Sequence, residues 1–154
     1  MPGARICTMN PAQMHLALNH LPIFLTFSAA LLLAAALWKK SPDLLAAGQV
    51  FLMLSAIFAL PVFFSGEPTE DLVENQVGIE RHDIHEHEES GEFALIVSLL
   101  VGAIALGHWL AKRFGKRVHP AASYLVLLGA LFALAVFART AHLGGLIHHP
   151  ELRP

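Results

Sequence analysis

Charge is what this sequence has least of. Only 14% of its 154 residues are Asp, Glu, Lys or Arg, about half the share of an ordinary soluble domain. With 55% hydrophobic residues beside them, that shortage argues against a soluble protein. Basic residues number 10 against 12 acidic ones, so no positive excess is available to neutralise phosphates and nucleic acid is excluded as a partner. Cysteine is nearly absent. Cys7 alone excludes an internal disulfide framework and any multi-thiolate cluster built by this chain.

Motifs are missing too. The sequence has no His-Glu-x-x-His, no ferritin-type Glu-x-x-His pair in its acidic segment, no phosphate-binding glycine loop and no Gly-x-Ser-x-Gly elbow, which removes the familiar hydrolase and phosphoryl chemistries. No catalytic residue is assigned. Without Cys-x-x-Cys-His, any haem is non-covalent and of b type.

What is present is apolar length. A bilayer core takes about 20 mostly apolar residues per helical span, and four stretches approach that figure: Leu21 to Trp38, Leu44 to Phe64, Phe93 to Leu110 and Ala121 to Ala138. They are apolar on every side, unlike the alternating strands of a membrane barrel, so they read as helices. Ser41-Pro42-Asp43 reads as N-cap, first-turn proline and dipole-complementing acid. Gly115 reads as a stop after Lys112-Arg113-Phe114, and Pro120 opens the fourth span. Asn10-Pro11 starts the first helix ahead of its apolar core, behind a short tail, Met1 to Met9, that is not a signal peptide. Pro22 lies inside that helix and is expected to kink it near Asn19 and His20; Pro61 is expected to act likewise in the second span. The expectation is one all-α integral membrane domain over 1–154, an antiparallel four-transmembrane-helix bundle with spans near 12–38, 42–65, 85–114 and 120–143.

Orientation follows from charge. Lys39, Lys40, Lys112, Arg113, Lys116 and Arg117 occupy the two short connections, which the positive-inside rule assigns to the cytoplasm. The segment from Gly66 to Glu92 holds ten acids and one base, Arg81, and is expected as an acidic helix or loop between spans 2 and 3 on the outer face. Both termini fall on that same periplasmic side of a bacterial inner membrane.

The ten histidines then sort unequally. His108 and His119 lie at the cytoplasmic end, where they read as interfacial or satisfied core residues. His15, His20, His82, His85, His87, His142, His148 and His149 share the outer side. His15 and Asn19 are one helical turn apart on one face, whereas His20 is rotated by about 140° from His15. Arg139 and His142 share a face, which His149 joins only if the helix survives Gly144-Gly145. Gly102, Gly107 and Gly129 read as sites of close helix contact. The run from His82 to Glu89 also fits a solvated acidic helix start.

Four strings carry a resemblance: Met14-His-Leu-Ala-Leu-Asn-His-Leu-Pro-Ile23, Ser65-Gly-Glu-Pro-Thr-Glu-Asp-Leu-Val-Glu74, His87-Glu-Glu-Ser-Gly91 and Thr140-Ala-His-Leu-Gly-Gly-Leu-Ile-His-His-Pro-Glu151. Together they resemble a widespread set of uncharacterised bacterial four-helix inner-membrane proteins related to a domain-of-unknown-function family. The resemblance covers nearly the whole chain and singles out His15, Asn19, His20, Gly66, Glu67, Glu70, His87, Glu88, Gly144, Gly145 and His149. Where such relatives carry an arginine before the last histidine, this chain has His148. The resemblance implies the fold and an outer-face site, with no activity attached.

Histidines converging in an apolar bundle point first to a b-type haem, held by His20 with His87 or His149 and with Arg139 beside a propionate, passing electrons between quinone and a redox partner. The alternative is non-haem zinc, copper or iron on His15, His20, His87, His142 and His149 with Glu67, Glu70 or Glu88. A third reading is a structural subunit of a larger respiratory complex. Transport is disfavoured, since no ionisable residue marks the middle of any span.

Overall fold

A computed structural model describes residues 11–73 and 81–149, with side-chain surroundings for all of these but 11, 12, 67–73 and 148. Five helices follow in order: α1 Pro11–Leu18, α2 His20–Lys39, α3 Pro42–Val73, α4 Arg81–Arg113 and α5 Ala121–His148. The expected tail, Met1 to Met9, lies outside the described residues. Four helical stretches, Gln13–Lys39, Pro42–Gly66, Arg81–Arg113 and Ala121–Ile147, are long and apolar enough to cross a membrane. No strand occurs among the described residues, and the fold is an all-α four-helix bundle of the multi-pass membrane type.

The helix ends follow their local chemistry. Ser41 Oγ accepts the Leu44 N–H at 3.3 Å, the N-cap expected of Ser-Pro-Asp. Gly115 takes φ +67°, where glycine has no Cβ to clash. Its N–H donates to Lys112 O and that of Lys116 to Ala111 O, which satisfies two end carbonyls of α4 in a Schellman turn. Lys40 makes the same left-handed stop without being a glycine (φ 52°). His119 Nδ1 accepts the Ala121 N–H at 3.2 Å, so this histidine helps cap α5. The break between α1 and α2 falls at Asn19, three residues before Pro22, because Pro22 has no N–H to give Leu18. Ser55 O–H donates to Pro22 O at 2.9 Å, and Thr26 Oγ1 lies 2.8 Å from Ser55 Oγ. Since Ser55 spends its proton on the carbonyl, Thr26 is the donor to Ser55. By contrast α3 runs through Pro61 without interruption.

Where described, the acidic segment takes the helical of the two forms expected: α3 continues to Val73 and α4 begins at Arg81. Helical hydrogen bonding does not stop where hydropathy falls, and the exposed pairs His82–Glu86 at 3.6 Å, His85–Glu88 at 3.7 Å and His85–Glu89 at 3.3 Å support the first turns of α4 at i, i+3 and i, i+4 spacing. With 33 residues, α4 is about 50 Å long and projects well beyond a hydrocarbon core of about 30 Å.

Small residues fill the inside and large ones cover the outside. Ala29, Ala30, Ala36, Ala56, Ala105, Ala130 and Ala133 are buried, while Phe24, Ile57, Phe64, Leu100, Leu125 and Leu128 are exposed. That inversion suits lipid, where small residues let helices approach and outward apolar side chains meet acyl chains. A Cβ on Gly102 would stand 2.7 Å from Ala56 Cβ, and one on Gly48 would stand 2.8 Å from Leu33 Cγ, so both positions require glycine for close packing. Gly129 makes ordinary contact and Gly107 meets nothing within 4 Å, which removes Gly107 from the expected contact sites. Trp38, Phe114 and Tyr124 are exposed beside the basic connections, where aromatic rings favour the membrane–water boundary.

Helix α2 packs on α3, α3 on α4, α4 on α5 and α5 back on α2, closing the ring, while α1 packs on α3. The two hairpins, α1–α3 and α4–α5, repeat one burial pattern. Pro22, Thr26, Ala29, Ala30, Leu33 and Ala36 are buried in α2, and 72 residues on, from Ala94, so are Ala94, Ser98, Val101, Gly102, Ala105 and His108 in α4. Leu45, Leu52 and Ser55 of α3 recur 78 residues on, from Ser123, as Ser123, Ala130 and Ala133 of α5. Both hairpins run in the same sense, so the repeat axis lies along the bundle. This repeat is a match of register and size, with few shared residue types.

Candidate functional site

The ends of the bundle differ in what their histidines do. At the basic end His108 is buried, and Gln49 Nε2–H donates to its Nδ1 at 2.6 Å, while Ser123 Oγ lies 3.2 Å from its Nε2. Because the amide fixes Nδ1 as an acceptor, Nε2 carries the proton and donates to Ser123. Both ring nitrogens are engaged in tying α3, α4 and α5 together, and His108 is a satisfied core residue, as its position in the sequence suggested.

At the other end a cavity of about 650 Å³ opens between all the helices. Its walls are apolar, from Ile23, Ala59, Phe63, Ala94, Leu95 and Phe137, and His15, Asn19, His20, Thr140 and His149 bring polar groups to it. The α4 contribution, Gly91, Ala94 and Leu95, and the α5 contribution, Phe137, Thr140, Ala141, Gly144 and Gly145, each fall at helical i, i+3, i+4 spacing on one inward face.

Two histidines at this end are held in the same way. His15 Nδ1 lies 3.0 Å from Val62 O and 3.3 Å from Ser65 Oγ, and Ser65 in turn donates to Val62 O at 2.9 Å. His87 Nδ1 lies 3.1 Å from Thr140 O. A carbonyl only accepts, so each ring carries a proton on Nδ1, where His108 has none. In each case a glycine stands four residues beyond the accepting carbonyl. A Cβ on Gly66 would stand 3.6 Å from His15 Cε1, and one on Gly144 would stand 2.9 Å from His87 Cε1. The second distance is a clash, so the glycine at 144 makes room for the His87 ring over the Thr140 carbonyl, whereas the first is an ordinary contact. Around His87 the clasp is doubled: Thr140 Oγ1–H donates to Ser90 O at 3.1 Å and lies 3.2 Å from Val136 O, and Ser90 Oγ is 2.8 Å from Thr140 Oγ1.

Asn19 is the unsatisfied member. It lines the cavity, and its Oδ1 is buried with no hydrogen-bond partner among the described residues. Such an atom costs roughly 1–3 kcal/mol of desolvation unless something donates to it.

The residues expected at the site divide. His15, His20 and His149 line the cavity; His20 and His149 stand exposed at its rim. His87 lies behind Gly144, a lining residue, and one turn from Gly91 on the same face of α4. Helix α5 survives Gly144-Gly145 and ends at His148, with His149 as its C-cap, whose N–H donates to Gly145 O at 2.9 Å. His142 and Arg139 are exposed and do not line the cavity; neither does Glu88, which pairs with His85. Glu67 and Glu70 belong to α3, but their side chains lie outside the described residues, as does that of His148. Among the described residues no three His, Cys, Asp or Glu side chains group as a metal-binding cluster.

Sequence reasoning put His15 and Asn19 on one face but gave no sign that His15 would be tethered. The signal was the glycine: Gly66 in α3 and Gly144 in α5, each four residues past the carbonyl that a histidine reaches. Comparison with known protein families, with curated proteins and with solved structures finds no match for this chain.

Proposed function

We propose that this is a membrane-bound protein that holds a b-type haem at the periplasmic face of a bacterial inner membrane and passes electrons between quinone and a redox partner. One observation carries the reading: an apolar cavity at the histidine-rich end of the bundle, lined by His15, His20 and His149, with the His15 Nδ1–H fixed on the Val62 carbonyl. Its volume of about 650 Å³ lies within the roughly 300–1,000 Å³ typical of cofactor sites. A ligating imidazole is usually oriented through its second nitrogen in this manner, which also raises its basicity. Haem needs only two axial side chains, which two of these lining histidines would supply, and it brings one-electron chemistry that the chain lacks. Propionates fit the wet rim, where His20 and His149 stand. Arg139 faces away from the cavity and is a weaker partner for them than its sequence position suggested. The basic connections at the far end support the cytoplasmic assignment of that end.

The alternative is a non-haem zinc, copper or iron site on histidines of the same end with acids of the α3 extension. A dithionite-reduced spectrum and elemental analysis of one detergent-purified sample, from cells grown with ample haem precursor, separate the readings. Soret and α bands with one iron per haem are expected. A colourless protein with stoichiometric metal turns the assignment to the non-haem site, and a colourless, metal-free protein bound to a large partner turns it to a structural subunit.

A further inference from the structure

The cavity is closed on one side and open on the other. Its α3 and α4 walls, Ala59, Val62, Phe63, Ala94 and Leu95 among them, are buried or half-buried. The exposed lining residues are Leu16 on α1, His20 at the start of α2, and Ala141, Gly145 and His149 at the end of α5. The mouth therefore faces the seam where the first and last spans meet. Chain connections join α2 to α3, α3 to α4 and α4 to α5, and none joins α2 to α5. These two helices also share the least extensive packing of any neighbours in the ring, so they can part without straining a connection. On the α5 side the mouth is nearly bare, since Ala141 is small and a Cβ on Gly145 would meet nothing within 4 Å.

Depth places this mouth against lipid. At 1.5 Å per residue His20 stands about 29 Å along α2 from Lys39, and Ala141 about 30 Å along α5 from Ala121, which matches a hydrocarbon core of about 30 Å. Leu16, His20, Ala141 and Gly145 all fall within the stretches apolar enough to cross a membrane. We infer that the cavity is filled sideways from the leaflet at its own end of the bundle, through the α2–α5 seam, by a membrane-dissolved planar ring with polar oxygens along one edge. The apolar walls suit the faces of such a ring, and the hydrophobic effect concentrates it in the bilayer and not in water. Its polar edge stays at the rim, where His20 and His149 stand and the headgroup region begins. Asn19 presents a carboxamide from the wall, with Oδ1 buried and unpartnered among the described residues. Haem and the head of a quinone share this chemistry. The inference rests on the reading of the cavity as a cofactor site and adds its route of loading.

Two measurements on the full chain in phosphatidylethanolamine–phosphatidylglycerol vesicles test it. In a Cys7→Ser background, nitroxides on Ala141→Cys and Gly145→Cys should be relaxed more by oxygen dissolved in lipid than by a water-soluble nickel chelate. A nitroxide on His85→Cys, in the exposed first turns of α4, should show the reverse. Nickel dominating at both 141 and 145 would mean a mouth open to water and would overturn the inference. In the second measurement, cofactor-free protein takes up haem or a short-tailed benzoquinone from donor vesicles. Gly145→Trp places bulk in the mouth, where the backbone has room for a side chain, and should slow uptake several-fold with an unchanged melting temperature. Ile57→Trp, on the exposed face of α3, should leave the rate as it is. Slowed haem uptake supports the route and the haem reading together; slowed quinone uptake with no haem bound keeps the route and overturns the haem reading. Unslowed uptake by Gly145→Trp, or no uptake of either compound by the wild type, overturns the inference.

Discussion

His87 lies over Gly144 so closely that a Cβ there would stand 2.9 Å from its Cε1, and the same ring donates to Thr140 O one turn earlier. Glycine and carbonyl act as a unit: the first makes the space that lets the ring reach the second.

Gly144→Ala should therefore push the His87 ring off Thr140. Overpacking of this kind costs roughly 1–3 kcal/mol, and a lowered melting temperature in detergent, with a changed spectrum if haem is bound, is the expected result. A Cβ on the neighbouring Gly145 would meet nothing within 4 Å. Gly145→Ala should be neutral or stabilise by about 0.5–1 kcal/mol, the gain in helix propensity. Equal melting of the two variants would refute the seat assigned to Gly144.

Asn19 should trade stability for binding. Replacing it by Leu removes a buried, unpartnered oxygen, so the cofactor-free protein is expected to gain about 1 kcal/mol, while the affinity of the cavity for its occupant falls. Thermal unfolding of apo protein and haem titration read the two effects separately. A loss of apo stability would show that the amide serves the fold and not the cavity.

The Gln49–His108 pair should show strong coupling. Gln49→Leu strands a buried imidazole nitrogen that now accepts at 2.6 Å, at a cost of roughly 1–3 kcal/mol. Gln49→Leu with His108→Leu should cost less than the sum of the two single changes, because contacting polar partners are non-additive. Unfolding of the four members of the cycle gives the coupling energy, and additive single effects would be inconsistent with the bond. All four should keep the same spectrum, since this pair sits at the opposite end of the bundle from the cavity.

Topology has a direct test in labelling. In a Cys7→Ser background, a membrane-impermeant maleimide should label His85→Cys on intact spheroplasts. Lys116→Cys should label only after permeabilisation. The opposite pattern would put the cavity on the cytoplasmic side and reverse the reading of the basic connections.

Much of the fold was legible in the sequence because it depends on local properties. Hydropathy marked four spans, and Ser41, Gly115 and Pro22 marked a cap, a stop and a break at the positions where the helices show them. The extent of α3 and α4 was less legible, since the helix continues past the point where apolarity ends. The packing role given to Gly107 failed because spacing says nothing about which side of a helix a neighbour occupies.

The sequence by itself determined an apolar four-span chain with basic residues at one end and eight histidines toward the other, through solvent preference and charge, which act residue by residue. Only the tertiary structure decided which face and which neighbour each histidine meets. His15 and His20 are five residues apart, yet one is tethered to α3 and the other stands at the rim; His87 and Thr140 meet across 53 positions of chain. Those relationships depend on helix rotation and on the neighbour each face meets. Packing fixes both, and the small residues that permit it carry no chemical label of their own.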